Sequence, residues 1–100
     1  MEFKKLQKNV IDWANDKGLL YPDFVKNQYL KTVSEVGELA DAILKNDREQ
    51  IIDGIGDVTV TLIILAEQLN LNLVDCLETA YNEIKHRSGV TKNGTFIKEE

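Results

Sequence analysis

The pattern that most restricts this chain is a helical stripe. Ile51, Ile55, Val58, Leu62, Ala66 and Leu69 recur at threes and fours, the spacing of one face of an α-helix. The stripe runs through VTVTLIILA, residues 58–66, whose valines, isoleucines and threonines would by themselves favour a buried strand. A period sustained over about five turns is too long for a strand, so the segment reads as helix.

The same period holds on either side. Phe3, Leu6, Val10 and Trp13 predict a first helix that stops near Gly18, and GLLYPD is a connector with Pro22 suited to the first turn of the next helix. A second helix is expected from about Asp23 to Lys45, with Leu30, Val33, Gly37, Ala40 and Leu44 on one stripe. Val36, Leu39 and Ile43 widen that stripe, which predicts cover on more than one side. Asn46 and Asp47 offer an N-cap, with Glu49 or Gln50 at capping-box spacing, for a third helix reaching about Asn70. Asn72 caps a fourth, in which Leu73, Leu77, Ala80 and Ile84 repeat. The expected fold class is all-α: one domain, a compact bundle of about four helices over residues 1–87, completed by oligomerisation. SGVTKNGTFIKEE, residues 88–100, keeps no period and is expected to be a C-terminal tail or arm of that domain.

Charge narrows the function. The chain has 17 Asp plus Glu against 12 Lys plus Arg, which argues against a nucleic-acid polymer as partner, since that needs a basic face. A lone cysteine, Cys76, allows no internal disulfide and points to a reducing, cytoplasmic setting. MEFKKLQKNV has no apolar signal-peptide core, and VTVTLIILA is too short to span a bilayer, so no membrane association is expected. Cys76, beside Leu73, Leu77 and Ala80, is expected as a small core residue rather than a nucleophile. His86 has no acid or cysteine at ligand spacing and is expected at the surface.

The acids are more informative. Glu35 and Glu38 lie three apart on one face of the second helix, and Lys31 falls on the same stripe. Such a pair alone would be a solvated helix face. On the third helix Asp53 and Asp57 share a stripe, and beyond Asp57 the sequence is apolar nearly all round, the mark of an enclosed helix. Carboxylates at the mouth of a buried segment repel one another and lose hydration, so they should protonate, find bases or bind a cation. Few bases are placed to help. Four carboxylates on two helices folded back to back suit Mg²⁺, a hard cation that takes oxygen ligands, waters and substrate phosphates, with Mn²⁺ as a substitute. Gly37, Gly54 and Gly56 flank these acids inside helices and are expected to let the helices pack closely.

E-x-x-E on one helix, a short break, then G-D-V at the start of a buried helix resembles the MazG-like nucleotide pyrophosphohydrolases. That all-α superfamily includes dimeric dUTPases, dCTP pyrophosphatases and phosphoribosyl-ATP pyrophosphohydrolases. The likeness covers LKTVSEVGELADA, DGIGDV and YNEIKHR, and reaches back to Trp13. The resemblance implies E-x-x-E followed by E-x-x-D, with these acids holding Mg²⁺. Glu35, Glu38 and Asp57 match. The position three before Asp57 is Gly54, and the acid stands one residue earlier as Asp53.

The resemblance also implies that Asn82, Lys85 and Arg87 contact sugar and phosphates, although bases at a helix C-terminus are favourable for their own sake. Trp13 would stack on a base, or else pack in the core or a dimer. Two functions remain open. One is Mg²⁺-dependent hydrolysis of a nucleoside triphosphate, dNTPs included, to monophosphate and pyrophosphate by a homodimer or homotetramer. There Glu35 and Glu38 would act as catalytic carboxylates, and Lys31 would join the substrate contacts. The other is a non-catalytic helical dimerisation or scaffold protein, whose acids bind a structural cation or aid solubility.

Overall fold

The structure, a computed structural model, describes residues 1–99. Four α-helices follow in order: α1 (Phe3–Asp16), α2 (Val25–Leu44), α3 (Arg48–Gln68) and α4 (Leu73–Ile84), with a 3₁₀ turn at Pro22–Phe24 before α2. The all-α bundle expected from the periodicity is what the chain forms.

The first three helices are each stopped by a left-handed residue. Gly18 ends α1 at φ +71°, with its amide donating to the carbonyl of Asn15 and that of Leu19 donating to Ala14. This is the Schellman arrangement, and a residue with φ in that range is cheapest as Gly or Asn. Asn46 at φ +56° and Asn70 at φ +59° repeat it after α2 and α3, with Asp47 N donating to Ala42 O and Leu71 N to Ala66 O. Asp47 then caps α3 by accepting from Gln50 N at 3.2 Å. Asn72 caps α4 by accepting from Val74 N at 3.1 Å and Asp75 N at 3.4 Å. The break between α2 and α3 is therefore three residues long, and the two helices must run antiparallel along one another.

The α2–α3 pair carries most of the packing, with α1 laid on α3. Three glutamines tie these layers. Gln28 donates to Thr61 O across the α2–α3 pair, and Gln68 donates to Leu19 O in the first connector. Gln7 Oε1 accepts from Val74 N at the start of α4. The buried apolar side chains are Ala14, Ala42, Ile63, Ile64 and Ala66.

Three expectations need correction here. Gly37 and Gly56 are exposed, with nothing within 4 Å of where a Cβ would stand, so of the three helical glycines only Gly54 lies at the helix contact. The wide stripe of α2 does not face the body: Leu30 is 65% and Leu44 85% exposed, and Val33, Val36 and Ile43 are open as well. The side of α2 laid on α3 is narrower and carries Gln28, Thr32, Glu35, Leu39 and Ala42. Small side chains permit the closest helix approach, and that approach leaves the bulky stripe outside. Cys76 is exposed, not in the core, because α4 meets α3 chiefly through its first turn, where Leu73 and Val74 are half-buried. His86 is at the surface, as expected.

The C-terminal arm is a β-hairpin. Strands β1 (Gly89–Lys92) and β2 (Thr95–Lys98) pair antiparallel, with Val90 opposite Ile97 and Lys92 opposite Thr95. The turn is Asn93–Gly94, at φ +51° and +79°, a two-residue connection whose twist matches that of the strands. Glu100 of that segment lies outside the described residues. Among the described residues, no single helix is long and apolar enough to cross a membrane.

Candidate active site

The antiparallel run of α2 and α3 brings the two acid pairs face to face. Ascending α2, the residues on one edge are Glu35, Glu38, Asp41 and Lys45; descending α3, they meet Asp57, Gly54, Asp53 and Gln50. Together these line a groove of about 320 Å³. The helices approach closely beside it. A Cβ built on Gly54 would lie 3.2 Å from Leu39 Cδ1 and 3.5 Å from Leu39 Cα, so position 54 meets the backbone of α2. Gly54 is buried, whereas Asp53 is exposed and Asp57 half-buried.

Glu35 is the buried acid, 8% exposed, and its Oε1 takes a 3.0 Å ion pair from Lys31 Nζ. That hydrogen bond, joined by one from Glu38, holds the Glu35 carboxyl below the usual carboxylate range. Glu38 moves the other way: sharing a proton with Glu35 and standing beside its charge raise it. The pair titrates together, with Glu35 the ionised member and Glu38 the one that protonates more readily. Asp57 is also raised, first by burial, then by the charge of Asp53 and that of Glu35. These are the marks of carboxylates crowded without enough positive charge.

The donor type suits a hard divalent cation, since carboxylates line the groove from both helices. In this side-chain arrangement no three acids among the described residues close on one point at ligand geometry. Glu38 and Asp53 are exposed and free to turn inward, whereas Glu35 is engaged by Lys31.

The remaining sequence-expected residues lie elsewhere in the chain. Trp13, 50% exposed, borders an apolar hollow with Leu6, Val10 and Val60 on the α1 side of α3. Asn82, Lys85 and Arg87 are exposed at the end of α4. Arg87 pairs with Glu83 at 3.0 Å, and the Lys85 ammonium lies 5.9 Å from the centre of the Tyr81 ring. α4 leaves α3 at 101°, from an end roughly 15 Å along the helix beyond Asp57, so this chain does not fold these residues into its own acidic groove. Asp41, Lys45 and Gln50 line the groove without having been picked out. Helical arithmetic could have found them: 41 and 45 continue the Glu35–Glu38 stripe, and 50 lies two turns before Asp57.

An all-α pair of antiparallel helices presenting E-x-x-E to a facing aspartate defines the class. The MazG nucleotide pyrophosphohydrolase domain matches residues 26–90, and the chain belongs to that family. It is also similar to an uncharacterised 18.2 kDa protein of the rep–hol intergenic region of Haemophilus phage HP1, 36% identical over 73 residues. The match takes in 73% of this chain and 45% of that protein, so the chain spans about half the length of that relative. No solved structure matches significantly.

Proposed function

We propose that this chain hydrolyses a nucleoside triphosphate, with dNTPs among the candidates, to the monophosphate and pyrophosphate in the groove between α2 and α3. The observation that carries this reading is the facing of Glu35 and Glu38 by Asp53 and Asp57 across the Gly54–Leu39 contact, in a chain of the MazG nucleotide pyrophosphohydrolase family. These four acids would hold Mg²⁺, or Mn²⁺ in its place. When bound, the metal supplies charge neutralisation on the phosphate oxygens and an activated water.

The protein's own groups do the rest. Glu38 is the better placed general base, because it is exposed at the groove whereas Glu35 is buried. Lys31, at the groove's edge, would meet a phosphate. Asn82, Lys85, Arg87 and Trp13 would reach substrate only from a second copy, in a homodimer or homotetramer that also covers the open stripe of α2. The acidic balance disfavours a nucleic-acid polymer, and the free thiol suits the cytoplasm.

A second reading is a non-catalytic helical dimerisation protein. It is favoured by Gly54 where the family pattern has an acid, and by the lack of three converged ligands among the described residues. Pyrophosphate release measured across the common NTPs and dNTPs, with and without Mg²⁺, separates the two. Glu38→Gln is expected to remove most hydrolysis while helical content is kept. Full Mg²⁺-dependent activity in that variant would sink the site assignment.

A further inference from the structure

Lys31 stands where a cation is wanted. Its ammonium lies 3.0 Å from the buried Glu35 carboxylate. A lysine paired at i,i+4 on an open helix face ordinarily answers to one acid. Here the acid it holds lines a groove with Glu38 on its own helix and Asp53 and Asp57 on the facing one, so the ammonium stands at the edge of a cluster of four carboxylates. The lysine is nonetheless not locked in: its side chain is 60% exposed, and its flexible four-carbon stem can carry the charge elsewhere.

A divalent ion and this ammonium compete for the same oxygen of Glu35 and repel each other at close range. We infer that Lys31 is a tethered counter-ion that substitutes for the divalent cation in the metal-free groove and is displaced when metal binds. It is then free to meet a phosphate of the nucleotide, so that metal and nucleotide binding are coupled through one side chain. This rests on the hydrolase reading above and adds a property that a fixed phosphate-binding lysine lacks. Removing Lys31 acts in opposite directions on the two ligands: the metal alone binds more tightly, and nucleotide in the presence of metal binds more weakly.

The test is calorimetric and needs no turnover. Mg²⁺ is titrated into the nucleotide-free full chain as wild type, Lys31→Met and Lys26→Met. Methionine keeps the stem and the helix propensity. Lys26 is a lysine of the same helix that borders an apolar hollow outside the acidic groove. Removing one charge a few ångströms from a divalent ion, even at the dielectric of water, is expected to tighten Mg²⁺ binding by about tenfold in Lys31→Met. Lys26→Met should stay near wild type. A non-hydrolysable nucleoside triphosphate analogue is then titrated at saturating Mg²⁺, where Lys31→Met should lose about tenfold in affinity.

Unchanged Mg²⁺ affinity in Lys31→Met, with wild type binding the ion, overturns the inference alone. An equal gain in Lys26→Met overturns it as a general charge effect. Tighter metal without weaker analogue overturns the coupling. Absence of Mg²⁺ binding by all three proteins overturns the metal-dependent reading on which the inference rests.

Discussion

At position 54 a glycine stands where the family pattern has an acid, at a close approach to α2. A Cβ there would lie 3.2 Å from Leu39 Cδ1 and in ordinary contact, 3.5 Å, with Leu39 Cα, so a side chain at 54 requires the Leu39 side chain to give way. Asp53, one residue earlier, is exposed and beside Asp57, and its charge raises that neighbour. If Asp53 is a ligand, Asp53→Asn should raise the Mg²⁺ concentration for half-maximal rate nearly as much as Asp57→Asn does. A large rise in Asp57→Asn alone would leave a three-acid site.

Asp57 also supports a prediction about stability. Its folded pKa lies above the unfolded value, so in the metal-free protein its charge opposes folding once the pH exceeds that range. Asp57→Asn should therefore raise the melting temperature of metal-free protein at about pH 7, and the gain should fade toward about pH 3.5, where the wild-type acid is protonated in both states. A gain that persists unchanged at low pH would mean that packing, not charge, is responsible.

The elements are set by their ends more than by their middles. Asp47 is the hinge of the site: its backbone amide closes α2 on Ala42, and its carboxylate opens α3 on Gln50. The groove depends on α2 and α3 meeting at that tight break. Asp47→Ala should cost about 0.5–2 kcal/mol of unfolding free energy in a denaturant titration, with activity kept below the unfolding transition. A loss above about 4 kcal/mol would exceed any cap and imply that the break itself has rearranged. The hairpin shows the same logic in β form. Asn93–Gly94 adopts the turn that this dipeptide favours, and the four residues on each side pair from it.

On the scale of the whole molecule, the single chain leaves too much apolar surface open. Among the described residues no large side chain is fully buried, while Leu30, Val33, Leu44, Ile55, Leu77 and Tyr81 each expose more than half of their surface. Apolar exposure on this scale is expected of a chain that associates. The chain is expected to sediment as a dimer or tetramer. Val33→Glu, on the open stripe of α2, should shift it toward monomer by at least about tenfold in dissociation constant, since a buried unpaired charge costs well over 1.4 kcal/mol. A wild-type chain that stays monomeric at tens of times its working concentration would remove this face from the account.

What the sequence determined by itself is local. Helices at threes and fours, stops at Gly18, Asn46 and Asn70, caps at Asp47 and Asn72, and acids three or four apart on one face all follow from spacing within a turn or two of chain. The Asn93–Gly94 hairpin was equally local, and was missed because a four-residue strand is too short to show its period against the charged residues around it. Tertiary structure decided which face of α2 meets α3. The broad apolar stripe is the stronger signal in the sequence, yet the narrow side with Leu39 opposite Gly54 is the one that meets α3, and that packing buries Glu35. Only the facing of two helices could bring Glu35, Glu38, Asp53 and Asp57 to one groove, because the interactions that join them act across space between residues some twenty positions apart, where spacing along the chain carries no information.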